Sequence, residues 1–299
     1  MPQSRHWLVN EMRGRDGMIA VCAAGFAAVC GWGGVSAQQV PGPSPRPSAP
    51  SSLGCNGETI GQGTGERVVD GRTFLLGDGR EIRLAAIEVP ALAESQEGSP
   101  AVPGGPAAKD ALAALLSGAQ ITLKQADAQK TDRYGRLVAY VYAARDGVDR
   151  SVHSELVAAG FARVGTHVGN RLCAVELLRR ETLARKGKLG LWASSYYGLL
   201  NADEPADVMA KRGHFALVEG KVLSVRESGA TIYVNFGRRW TEDFTVTILK
   251  RNERNFTAAG LEPKTFARRQ IRVRGWVEER GGPWIEAMRP EQIEFADRE

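Results

Sequence analysis

Between Glu66 and Ile87 the chain runs through ERVVD, RTFLL and EIRLAAI, with Gly77-Asp78-Gly79 separating the last two segments. Alternation of apolar and polar residues with period two marks half-buried strands, and Asp-Gly between two such runs marks a tight hairpin. This three-stranded meander limits the fold more than any other feature. A helical spacing follows at 107–117 (AAKDALAALLS), then strands from Ile121 (ITLK) and Leu137 (LVAYVYA), then helices in SVHSELVAAGF and NRLCAVELLRRETLARKGKLGLW. Three strands, a helix, two strands and terminal helices is the order of an OB-type barrel with helical additions. Gly61, Gly63 and Gly65 read as a flexible lead-in to it.

The remaining length allows a second domain. After Trp192 a short acidic stretch, 196–212, reads as a linker. FALVEGKVLSVRE, TIYVNFG, DFTVTILK, a spacer at 251–266, RRQIRVRGWVEE and PWIEAM then repeat the strand order without repeating the sequence. The expected fold class is therefore mainly β with helices: an OB-fold barrel over 55–195 and a second, smaller OB-like β-barrel over 213–297. In the second barrel Tyr233, Phe236, Arg238, Arg239, Trp240, Arg272, Arg274, Trp276 and Trp284 interleave aromatic with basic residues, as single-strand-binding barrels do. Alternation within RRQIRVRGW predicts Ile271 and Val273 inside, with Arg272 and Arg274 on a solvated face. The net charge of +5 falls well short of the dense basic stripe of a dedicated nucleic-acid binder.

Arg13 and Arg15 precede an uncharged Ala- and Gly-rich run that ends in Val35-Ser36-Ala37, the form of a secretory signal over residues 1–37. Its apolar character is weak for a membrane span. Export to a periplasm or to the extracellular space is expected, with no stable membrane span once the signal is cleaved; without cleavage the same segment would be a membrane anchor. Residues 38–54 are Pro/Ser-rich and read as a tether. Cleavage would remove Cys22 and Cys30 and leave Cys55 and Cys173, two cysteines in an oxidising compartment and hence disulfide candidates.

VVDGRTFLL (68–76), IRLAAIEVP (82–90), DRYGRLVAYVY (132–142), SVHSELVAAGFARV (151–164) and KLGLW (188–192), in that order and spacing, resemble the staphylococcal nuclease (thermonuclease) family over about residues 63–194. The resemblance implies a five-stranded OB barrel that hydrolyses nucleic-acid phosphodiesters with calcium. It places Arg83 and Arg136 as the phosphate-binding arginines, with Arg133 and Tyr134 of the same DRYGR motif toward nucleic acid. A guanidinium suits the role because its planar fork donates two parallel hydrogen bonds to a phosphate and stays charged at any working pH.

The acidic side departs from the family pattern. DGDT is here Asp70-Gly71-Arg72-Thr73, so a cation stands at a metal-ligand position. The second ligand, and with it a catalytic role, falls to Glu88, one methylene longer than the family's Asp. The general-base position holds Ala91, with Glu94 and Glu97 nearby in sequence. Arg72 is expected to repel calcium and to pair with Glu88, leaving Asp70 and Glu88 a poor metal pair. His6, His153, His167 and His214 are isolated, which gives no zinc pattern, and no GxxxxGK[ST] loop occurs. Three readings follow: a nuclease with altered metal use, a module that binds nucleic acid or another anion without cutting it, and a cell-envelope protein with a protein partner.

Overall fold

The computed structural model describes residues 54–92, 103–128 and 130–296. The signal at 1–37, nearly all of the 38–54 tether, and Glu94 and Glu97 lie outside the described residues. Among the described residues no helix is long and apolar enough to cross a membrane.

β1 (Thr59–Asp70) pairs with β2 (Thr73–Leu76), and β2 with β3 (Glu81–Leu84), as the hairpin signals require. β4 (Ile87–Glu88) and α1 (Gly105–Leu116) follow, and β5 (Gln120–Gln125) returns to the free edge of β1. β6 (Leu137–Arg145) then lies antiparallel to β5 and parallel to β3, which closes the ring into an OB barrel. Its interior is filled by Phe74, Leu76, Ile82, Leu112, Ile121, Leu123 and Tyr140. The glycines read as a lead-in are part of β1, where Gly61, Gly63 and Thr64 pair with β5. Paired main chain there needs no large side chains, so composition misreads it.

β7 (Val148–Ser151) forms a hairpin with β6 and leads into α2 (Val152–Ala158), capped by the Ser151 hydroxyl, which accepts from the Ser154 N–H at 3.3 Å. β8 (Arg163–Val164) pairs with β4, and α3 (Arg171–Lys186) starts at Asn170, whose side chain accepts from the N–H groups of Leu172 and Cys173. Cys55 and Cys173 form a disulfide across a sequence separation of 118 residues, tying the start of the barrel to α3. Closing a loop of that size is worth about 4–5 kcal/mol in the chain-entropy model.

His153 of α2 is completely buried; its Nδ1 accepts from the Val141 N–H at 3.5 Å, and its Nε2 has no partner. Burial pushes its pKa down to about 4. The folded state therefore resists protonation that the unfolded chain accepts below about pH 6.5. Stability from this group is present above that pH and is lost between 6.5 and 4, a loss on the order of 3 kcal/mol. The thermal midpoint should fall across that window in the native protein and fall less in His153→Leu; identical pH profiles would rule the histidine out.

Beyond α3, β9 (Leu200–Asn201) pairs parallel with β10 (Phe215–Lys221), and α4 (Pro205–Met209) lies between them in sequence. The stretch expected to be a linker, 196–212, is thus folded onto the C-terminal strands: Leu200 and Asn201 take ladder positions beside Val218 and Glu219. β11 (Ser224–Ser228), β12 (Thr231–Asn235) and β13 (Thr245–Leu249) form a meander, followed by α5 (Lys250–Ala258). β14 (Gln270–Trp276) pairs antiparallel with β10. β15 (Glu278–Arg280) turns into β16 (Gly282–Glu286), which lies parallel to β13, and β17 (Ile293–Phe295) covers the other edge of β14.

The prediction that Arg272 and Arg274 face solvent is wrong. Both are buried, Arg274 to 1% exposure. Arg274 meets the fully buried Glu181 of α3 at 2.7 Å and Glu294 of β17 at 2.5 Å, and its Nη1 donates to the Val164 carbonyl at 3.2 Å. Arg272 pairs with Glu219 at 2.7 Å. Alternation correctly separated two faces of β14, but the second face is covered by the N-terminal barrel rather than by water. Arg171 adds to this junction by donating to the carbonyls of Ala258 and Ala259, and Glu291 by accepting from the Val168 N–H at 2.9 Å.

Candidate functional site

Register brings the motif residues together at one end of the barrel. Arg83 on β3 lies opposite Thr73 on β2 and beside Val138 on β6, so the residue before Thr73, Arg72, and the residue two before Val138, Arg136, stand on either side of it. After β3, Ala86 takes a left-handed conformation (φ 65°) and turns the chain into β4, where Glu88 pairs across to Arg163 on β8. That conformation costs an ordinary residue about 1–2 kcal/mol. It is held by the Gly165 N–H, which donates to the Ala86 carbonyl at 2.7 Å.

Arg72 Nη1 donates to Glu88 Oε2 at 2.5 Å, with both side chains about four-fifths buried. Asp70 accepts from the Arg72 backbone N–H at 2.8 Å, closing the turn that presents Arg72. Arg136 is gripped by Asp132 at 2.7 Å, and Asp132 also accepts from the Tyr134 N–H. Burial works to raise the Asp132 pKa, but Arg136 and the turn N–H groups outweigh it and hold the carboxyl below its usual value. Tyr134 projects into solvent, with the guanidinium groups of Arg133 and Arg136 at 4.8 and 5.0 Å from its ring.

Arg83 differs from its two neighbours. Its side chain makes no hydrogen bond or ion pair to any described residue, though it is half-buried. Its pKa is lowered by burial first, then by the positive charges of Arg72 and Arg136. Glu88 and Asp132 act the other way, but each is already bonded to a different arginine. An incoming anion would relieve this imbalance.

The same geometry tests the metal. Of the two carboxylates expected to hold calcium, Glu88 is engaged by Arg72 and Asp70 closes a turn, while Arg72 places its cation at the remaining position. Among the described residues no three acidic, histidine or cysteine side chains cluster as a metal would need. A hard cation requires several oxygen donors, so these residues do not fit calcium. Ala91, where the family resemblance leads one to expect a general base, offers no proton acceptor on its side chain. Sequence reasoning placed Arg72, Arg83, Arg136 and Glu88 but missed Arg163, because a lone arginine on a two-residue strand carries no periodic signal.

An OB barrel with three arginines at one end of its β3–β6 seam defines the class of protein. Residues 81–194 match the family model for staphylococcal nuclease homologues. The thermonuclease of Staphylococcus hyicus is similar, 28% identical over 129 residues that cover 43% of this chain and 73% of that protein. Residues 81–194 are thus similar to staphylococcal nuclease homologues.

Proposed function

We propose that this chain is an exported protein that binds the phosphodiester backbone of nucleic acid through Arg83 and Arg136 and has lost calcium-dependent hydrolysis. Arg133 and Tyr134 extend the contact along the DRYGR turn. The observation that carries the reading is the Arg72–Glu88 ion pair, formed by the residues that the family resemblance assigns to the metal, beside an arginine side chain with no partner of its own. Export is supported by the signal pattern at 1–37 and is consistent with the Cys55–Cys173 disulfide. In the same reading 55–195 is the nuclease-type domain and 213–297 a second OB-like module, with strand pairings like those of the first barrel and a helix after its third strand.

Calorimetric titration with calcium is expected to show no saturable heat, and a quenched single-stranded DNA should not be cleaved faster when calcium is added. Filter binding at several salt concentrations should give a linear salt slope, reduced by about 0.7 in Arg83→Gln when one phosphate contact is lost on a single strand. Calcium-dependent turnover would overturn the loss of catalysis. A flat slope would overturn phosphate binding and favour a protein partner in the cell envelope.

A further inference from the structure

Beside the arginine cluster lies a cavity of about 250 Å³ that Arg72 and Glu88 line together with Arg163, Lys211, Tyr196 and Trp276. Its cations outnumber its one carboxylate, Glu88. Arg163 is 8% exposed, with its guanidinium over the rings of Tyr197 and Phe215, at 5.0 and 4.7 Å. Its Nη1 donates to the Phe215 carbonyl at 2.9 Å, its Nε has no partner, and no carboxylate of the described residues lies within ion-pair distance. Glu88 is its neighbour across the β4–β8 pairing, yet Glu88 is bonded to Arg72. A buried arginine without a counterion is costly unless something else supplies the charge.

Lys211, from the α4–β10 connection, adds a second cation. Its ammonium sits 3.5 Å from the centre of the Tyr196 ring and donates to the Tyr196 carbonyl at 3.1 Å. Burial and then the Arg163 charge hold its pKa below the usual lysine value, which an anion between the two would reverse. Trp276, at the end of β14, is 48% exposed and edge-on to Phe215 at 6.2 Å. An indole beside two cations suits a ligand with a flat ring and a phosphate, since bases stack on aromatic faces whatever their sequence.

We propose that this cavity is a nucleotide subsite built by both barrels: Lys211 and Arg163 receive the phosphate next to the phosphodiester on Arg83, and Trp276 stacks the attached base. The subsite rests on the phosphodiester-binding reading of Arg83, because the Arg72–Glu88 pair is the wall the two regions share. A single strand crossing the arginine cluster would enter it; a duplex would not expose a base to Trp276.

The test is fluorescence anisotropy of labelled oligothymidylate, four nucleotides long, on the full chain and on Lys211→Gln, Trp276→Ala and Arg83→Gln. Lys211 and Trp276 are solvent-accessible, so thermal midpoints should match the native protein and exclude misfolding. Trp276→Ala is expected to weaken binding about tenfold, and Lys211→Gln to reduce the salt slope by about 0.7. Should Arg83→Gln alone weaken binding, the subsite is wrong while the phosphodiester reading stands. Weakening by the other two variants but not by Arg83→Gln overturns the Arg83 reading and, with it, the placement of the subsite. Equal affinity for all four proteins overturns both, and competition by polyglutamate as strong as by oligonucleotide overturns a nucleotide-specific pocket.

Discussion

Arg72→Asp combined with Ala91→Glu is expected to create saturable calcium binding and calcium-dependent cleavage of single-stranded DNA, with about 10²–10⁴-fold of the rate gain due to the new general base. The first change removes the guanidinium that now bonds Glu88 at 2.5 Å, and so releases that carboxylate beside a newly introduced one. The second supplies a proton acceptor in the loop that follows β4. Neither substitution should suffice alone. Arg72→Asp without a base should bind calcium and turn over slowly; Ala91→Glu without the first change should do neither, because the ion pair persists. Calorimetry separates binding from turnover in all three variants. A double variant that still ignores calcium would show that the Arg72–Glu88 pair is not what blocks the site.

Arg274→Met is expected to destabilise the protein by about 3–5 kcal/mol, the usual result of removing one partner from a buried ion pair. Glu181 is fully buried and would lose its nearest cation; Glu294 would lose the same partner. Burial disfavours the charged arginine, yet the two carboxylates more than reverse this and raise its pKa. The effect belongs to the packing of β14 against α3, and it reaches further because Glu181 also accepts from the Val164 N–H at 2.7 Å and so fixes β8 against α3. Urea denaturation should show a lower midpoint and, where the junction opens first, two transitions in place of one. Replacing all three, Arg274→Met with Glu181→Leu and Glu294→Leu, should recover part of the loss, since neither carboxylate is then left without Arg274, while Arg185 and the Val164 N–H lose Glu181 as a partner. A loss under about 1 kcal/mol in the single variant would mean that water already reaches the triad.

The motif side of the candidate site was legible because it is local. DRYGR contains both Arg136 and the Asp132 that grips it four residues earlier, and a turn of that length leaves the two side chains few places to go. The Arg72–Glu88 pair spans sixteen residues and could be foreseen only through the family resemblance, which put both at one metal position. Lys211 and Arg163 could not be foreseen together. Arg163 lies on β8 and Lys211 beyond α4, in a stretch expected to be a linker whose β9 is in fact paired with β10. The disulfide was anticipated from counting cysteines in a chain expected to be exported, without any knowledge that the two sulfurs meet.

The amino-acid order by itself indicated the hairpin strands and the N-terminal barrel, though not the glycine-rich start of β1 or the pairing of β9, since period-two alternation and turn residues act over a few positions. Only the tertiary structure decided which faces remain wet. Alternation in RRQIRVRGW separates Ile271 and Val273 from Arg272 and Arg274, but burial of Arg274 depends on α3 and β8 of the N-terminal barrel lying against it. The fate of the metal position was decided in the same way: sequence shows a cation where a carboxylate is expected, and the turn at Ala86 brings Glu88 close enough to be held by it.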